Sequence, residues 1–143
     1  MPNKVESVLQ LKNYFVKHIS FELNDEFDFS QDSEIQMRPQ FERKISKIDD
    51  DNVKVSLCVH VDNTDGELVP FFVSIEVEGE FCLRAWEKEN NIFIIENNAV
   101  AILFPYLRAL LTTVTSNANM PPYILPIMNI IELFKQDKID NKK

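Results

Sequence analysis

Residues 53–61 read VKVSLCVHV and residues 71–83 read FFVSIEVEGEFCL. In the first stretch the odd positions Val53, Val55, Leu57, Val59 and Val61 are apolar, and the even ones are Lys54, Ser56, Cys58 and His60. In the second, Phe71, Val73, Ile75, Val77, Phe81 and Leu83 alternate with Ser74, Glu76, Glu78, Glu80 and Cys82. Successive side chains on a strand point to opposite faces. Period two therefore predicts two strands, each with one buried and one wet face, as in an antiparallel sheet.

Two further strands precede this pair in the chain. In residues 8–22 the apolar odd positions are Leu9, Leu11, Phe15, Ile19 and Phe21, broken by Asn13 and Lys17. Residues 36–48 are weaker, with Met37, Phe41 and Ile45 on one side. Pro39 cannot donate to a ladder, so this segment is an edge strand or begins after the proline. Asp49-Asp50-Asp51-Asn52 predicts a hairpin turn, and Asn63-Thr64-Asp65-Gly66 a second turn. The link over 24–35 is longer and carries Phe27 and Phe29, two aromatics in an acidic loop that are expected to pack onto something.

After Trp86 the period changes. Over 94–117 the apolar positions Val100, Leu103, Phe104, Leu107, Leu110, Leu111 and Val114 step by three and four, which predicts an amphipathic helix. Pro105 inside it is expected to kink or restart it. The three prolines of residues 120–126 favour an extended path. Asn129 is placed to cap a short final helix over 130–139. Strands followed by helices make the fold α+β.

Length and charge narrow the function. The 143 residues suit a single domain, 1–143, with a core of about 8–136 and a polar tail at 137–143. At 45% hydrophobic and 27% charged the chain is neither disordered nor a membrane span. Its longest apolar runs, such as Ala99–Phe104, are short, and the beginning shows no signal peptide. Two cysteines are too few for a disulfide scaffold and point to a reducing cytoplasm. The net charge is −8, and it falls mostly on the body of the chain because the last nine residues hold four Lys and two Asp. Such a body repels phosphate backbones, which argues against nucleic acid as a partner. Only two glycines are present, and neither sits in a phosphate-cradling motif, which argues against a nucleotide enzyme.

The stretch NNAVAILFPYLRALLTTVTSNANMPPYILPIMNIIELF, residues 97–134, resembles the C-terminal core of SecB, the bacterial protein-export chaperone. The resemblance is carried by Ile102-Leu103-Phe104-Pro105-Tyr106, Arg108, Pro121-Pro122, Leu125-Pro126, Asn129 and Leu133-Phe134. Ile19-Ser20-Phe21-Glu22 and residues 79–83 add to it. It implies a four-stranded antiparallel sheet, a long helix, a proline-rich loop and a short C-terminal helix. It also implies a homotetramer built as a dimer of dimers, and no enzyme activity or cofactor. The implied function is an ATP-independent holdase that keeps unfolded preproteins competent for export and hands them to the SecA motor. SecB-like chaperones of toxin–antitoxin modules, which guard an aggregation-prone antitoxin, are the alternative, and a small α+β ligand-binding domain is the competing class.

By the same resemblance Met37, Phe71, Tyr106 and Phe134 match groove residues, with Met37 where the family has tryptophan. Tyr123 and Leu125 are candidates for a lip. Large, adaptable apolar side chains suit the binding of many unrelated sequences. Each is equally readable as ordinary core. SecA docking in the family uses acids on the exposed sheet face. Glu22 is retained here, His18 and Ser74 replace or adjoin others, and Glu76, Glu78 and Glu80 keep the face acidic. The family's SecA-binding tail looks absent. Cys58, His60, Cys82 and His18 also fall on the wetter face. They form a zinc-type set only if the cross-strand register gathers them, and a one-residue slip scatters them. No metal is expected. The helix around 105–114 is apolar on more than one side, which predicts burial against a second subunit.

Overall fold

The structure, a computed structural model, describes residues 9–30, 37–64, 66–83, 95–121, 123–126 and 134. Four strands, β1 (Leu9–Leu23), β2 (Gln40–Lys47), β3 (Asn52–Val61) and β4 (Phe71–Leu83), form one antiparallel sheet in the order β1-β4-β3-β2. A π-helical turn, Ile95–Ala99, leads directly into one long helix, α1 (Val100–Asn117). The helix lies across β3 and β4. The expected final helix lies outside the described residues except for Phe134, which is helical.

The central strands behave as their period requires. Val55, Leu57, Val59, Ile75, Val77 and Phe81 are fully buried on the helix side. Val100, Leu103, Leu107 and Leu111, spaced three and four apart on α1, meet them with no exposed surface. Each such side chain contributes roughly 1.5–3 kcal/mol by leaving water. The 23 residues Ile95–Asn117 have the length and composition to cross a membrane. In the fold the apolar stripe of this helix is spent on the sheet.

β1 departs from the simple alternation. Its ladder with β4 shifts register between Leu11 and Asn13 and again between Val16 and His18. Each extra residue inverts the face. Tyr14 and Val16 therefore join the apolar side, opposite Gly79 and Val77, and Phe15 lies opposite Glu78 on the outer side. The expectation that Phe15 is inward is thus corrected. The interruptions at Asn13 and Lys17 were the trace of the bulges. β2 is an edge strand and begins just after Pro39. Pro105 sits inside α1 without restarting it.

The turns hold as their residues suggest. Asp49 Oδ1 accepts from the Asp51 amide at 2.9 Å and from Asn52 Nδ2 at 2.9 Å, and the Ile48 amide donates to the Asn52 carbonyl at 2.9 Å. Thr64 and Glu67 exchange both backbone hydrogen bonds, and Gly66 takes a φ of 80°, which a side chain disfavours.

Candidate functional site

At one end of the sheet a cavity of about 290 Å3 opens to solvent. Phe27 and Phe29 come from the β1–β2 connection, Met37 from just before β2, Pro70 and Phe71 from the start of β4, and Asn119, Met120 and Pro121 from beyond α1. Four separate segments therefore make one apolar groove.

Each segment is held by local chemistry. Asn24 is buried at the base of the aromatic loop. Its Nδ2 donates to the Val69 carbonyl at 2.8 Å, and its amide donates to the Pro70 carbonyl at 3.0 Å. Its Oδ1 accepts from the Glu26 amide at 3.1 Å and its carbonyl from the Phe27 amide at 3.1 Å, folding the chain back on itself. Phe27 and Phe29 then meet edge to face, with centroids 4.9 Å apart. Asp28 between them accepts from the Ser30 hydroxyl and amide, which holds its carboxyl below the usual range. The acidic loop thus presents two aromatics over a structured turn.

The other wall is a helix terminus. Asn119 adopts the left-handed region at φ 61°, its amide donates to the Ser116 carbonyl, and the Met120 amide donates to the Thr115 carbonyl at 3.1 Å. This six-to-one closure ends α1 and turns Met120 and Pro121 into the groove. The chain beyond is fastened along α1. The Tyr123 amide donates to Thr115 Oγ1 at 2.8 Å, Thr112 Oγ1 donates to the Tyr123 carbonyl at 3.2 Å, and Arg108 Nε donates to the Leu125 carbonyl at 2.7 Å. Thr115, with no exposed surface, is satisfied on both its donor and acceptor sides.

The six groove candidates from the sequence are not all brought together. Met37 and Phe71 line this cavity. Phe71 is almost wholly buried, stacked on Phe21 at 5.3 Å, so the groove floor is also core. Tyr106 stands elsewhere, half-exposed and stacked on Tyr14 at 4.4 Å. Tyr123 is half-buried against the core, and burial raises its phenol pKa. Leu125 and Phe134 are buried. Phe134 lies beneath the Arg43 guanidinium, 4.5 Å from its ring centroid, and Arg43 Nη1 donates to the Glu96 carbonyl at 2.7 Å. Phe27, Phe29, Met120 and Pro121 were not among the named candidates. The paired aromatics in the acidic loop were the available signal for the first two. Asn119 after the helix was the signal for the others.

On the opposite, outer face of the sheet lie Glu22, Glu76, Glu78 and Glu80. They are not equivalent. Glu78 is flanked by Lys17 at 3.6 Å and Lys54 at 3.8 Å, and Glu80 accepts from Asn13 Nδ2 at 3.3 Å. With the lysine ends exposed to solvent, pairs of this kind contribute little to stability, but they dilute the negative charge. The register answers the cysteine and histidine question. His18, Cys58 and His60 share one cavity, whereas Cys82 pairs with Asn52 and Gln10, rows away along the sheet.

The chain matches the family described as preprotein translocase subunit SecB over residues 2–141. It is 35% identical over 125 residues to the Methanocaldococcus jannaschii protein MJ0357, covering 85% of this chain and 79% of that one. It is 27% identical over 129 residues to the protein-export protein SecB of Magnetococcus marinus, covering 89% and 82%. It is 24% identical over 145 residues to that of Orientia tsutsugamushi, covering 98% and 87%. Among solved structures, the fold resembles a Mycobacterium tuberculosis SecB-like chaperone in complex with a ChAD peptide from the HigA1 antitoxin. The TM-score there is 0.63 at 16% identity, over 84% of this chain and 87% of that one.

Proposed function

The chain belongs to the SecB family, and from that premise we propose that it is a holdase that binds unfolded polypeptide segments in the aromatic groove without consuming nucleotide. The observation that carries this reading is the composition of the groove: Phe27, Phe29, Met37, Phe71, Met120 and Pro121 converge from four segments, with Asn119 the one polar side chain among the described lining residues. A wall of aromatic and thioether groups takes up apolar side chains of many shapes, and a scarcity of placed polar groups leaves no demand for one sequence. The clients are preproteins, in keeping with the protein-export names of the relatives. The working compartment is the cytoplasm, in keeping with two free thiols. Glu22, Glu76 and Glu80 on the outer sheet face form the docking surface for a motor partner such as SecA.

A second reading, an antitoxin client in place of delivery to a motor, is supported by the antitoxin peptide bound by the SecB-like fold neighbour and by the lysines that offset Glu78.

The test is suppression of aggregation of a chemically unfolded protein in the absence of nucleotide, with the Phe29→Ala variant in parallel. Suppression at near-equimolar chain, weakened in the variant, is expected. Aggregation that proceeds unaltered at excess chaperone sinks the holdase reading. Charge reversal at Glu22 and Glu76 separates the two partners: it weakens a motor at low salt and spares an antitoxin peptide.

A further inference from the structure

The chain has two histidines, and the sheet brings both to one place. His18 of β1 and His60 of β3 line a cavity of about 200 Å3 on the outer face, together with Glu76 of β4 and Glu42 and Lys44 of β2. The register sets His18, Glu76, Cys58 and Glu42 in one row across the four strands, and His60 follows two residues after Cys58 on the same face. His60 Nε2 stands 3.8 Å from Glu42 Oε2 and 3.3 Å from Cys58 Sγ. His18 faces Glu76 directly across the ladder, where opposing β-carbons come within about 5 Å.

This grouping lets the cavity reverse its charge. With both imidazoles neutral, the described lining holds two carboxylates against one ammonium. With both protonated, three cations face the same two carboxylates. Histidine is the side chain whose ordinary charge change falls between about pH 5 and 8, whereas carboxylates and lysines keep their charges there. The neighbouring groups stay fixed over that range. Burial, the largest influence on it, raises the Cys58 thiol pKa and keeps the thiol protonated. Glu78, in the next outward-facing row, is already engaged by Lys17 and Lys54. Glu22 adds a further acid on the β1 side.

We propose that this cavity seats a lysine or arginine side chain of a docked basic polypeptide while His18 and His60 are neutral, and rejects it when they are protonated. The inference rests on the reading of the outer face as a docking surface and adds the seat and its control. The occupant follows from charge complementarity. α1 covers the other face of the sheet, so the acids Glu22, Glu76 and Glu80 stand toward an incoming chain. Within the cavity Lys44 offsets one carboxylate and leaves the other for a guest cation. The Ser56 and Ser74 hydroxyls and the bare nitrogens of neutral imidazoles accept hydrogen bonds from an ammonium or guanidinium group. A protonated imidazole presents only donors and a like charge, so the same rings then repel the guest. By linkage a bound cation must lower the pKa of both histidines, and binding near their midpoints must release protons.

The experiment titrates the full chain with a decalysine peptide, whose ammonium groups stay charged throughout the range. Calorimetry at low salt reads the affinity at about pH 7.5 and about pH 5.5. The wild-type affinity should fall roughly tenfold at the lower pH, the effect of two like charges a few ångströms from the guest. With His18→Gln and His60→Gln combined, the change over the same interval should be less than about twofold, whatever the affinity at the upper end. Nuclear magnetic resonance of the two imidazoles in the wild-type chain gives an independent reading: saturating peptide should move both titration midpoints to lower pH. That measurement keeps the test valid if the double variant misfolds. Two failures are distinguishable. Decalysine that does not bind, or binds the wild type and a Glu22→Gln, Glu76→Gln variant equally, removes the docking reading and the seat with it. Binding that needs those acids, but has the same pH dependence in the wild type and the folded histidine variant or leaves both imidazole midpoints in place, spares the docking reading and overturns the histidine control.

Discussion

Phe29 and Phe71 line the same groove but stand in opposite relations to the core. Phe29 is 53% exposed, and Phe71 is 2% exposed and stacked on Phe21. Phe29→Ala should therefore lower client affinity by roughly 1–3 kcal/mol while leaving the unfolding midpoint nearly unchanged. Phe71→Ala should cost about 3–5 kcal/mol of stability, because it removes a packed ring as well as a contact surface. Client titration and urea unfolding on both variants check this, and equal stability losses would erase the distinction. Cys58 offers a second residue-scale prediction. Its pKa is raised by burial above all, against an opposing Ser74 hydrogen bond, and then by the charges of Glu76 and Glu42. The thiolate is the reactive form, so a raised pKa means less of it at pH 8 and slower alkylation by iodoacetamide than a free thiol shows. The gap should close as pH rises through the elevated pKa. Mass spectrometry of alkylated peptides over a pH series reads both the rate and the trend.

At the scale of elements, the contact between α1 and the sheet turns on Gly79. A β-carbon there would stand 2.6 Å from Phe81 Cε2 and 3.0 Å from Leu103 Cδ2. Phe81 and Leu103 are both fully buried, so neither ring nor methyl has room to give. Gly79→Ala should cost about 1–3 kcal/mol through this overpacking, visible as a lower midpoint in chemical unfolding. A neutral or stabilising result would mean that the helix sits farther from β4. Gly79 also faces Tyr14 across the ladder, between the two irregularities of β1. The same small residue lets Phe81 lie close to the backbone and lets the helix approach. α1 carries a different burden at its other end, where Thr112, Thr115 and Arg108 fasten residues 123–125 by their side chains. The helix is thus a floor for the core along one stripe and a rail for an extended segment along another.

For the whole molecule the unfinished surface is on β1. Because α1 covers β3 and β4, the apolar side of β1 leaves Val16, Ile19 and Leu23 each more than two-fifths exposed, beside a half-exposed Tyr106. Contiguous apolar surface of this kind marks an interaction site. A second copy of the chain is the proposed cover, as the apolar breadth of the helix also implies. Size-exclusion chromatography with light scattering should give a mass several times 16.7 kDa. Val16→Asp combined with Ile19→Asp should shift it toward the single chain while retaining the β-sheet signal in circular dichroism. A wild-type chain that is monomeric at micromolar concentration would remove this proposal.

The alternation at 53–61 and 71–83 determined the central sheet, because a strand buried on one face must place every second side chain in the core. The three- and four-residue steps after Val100 determined the helix and its buried stripe for the same reason. The motif over 97–134 was enough to point to the family. Other features required the tertiary structure. Where β1 bulges depends on how its residues fit against β4, so Phe15 and Tyr14 exchange faces without any change in their own propensities. The groove draws Phe29, Met37, Phe71 and Met120 from four segments spread along the chain, and only packing sets their distances. Cys58 and His60 were adjacent on one face by period alone. That Glu42 and His18 join them, and Cys82 does not, follows from cross-strand register, which single-strand periodicity does not encode.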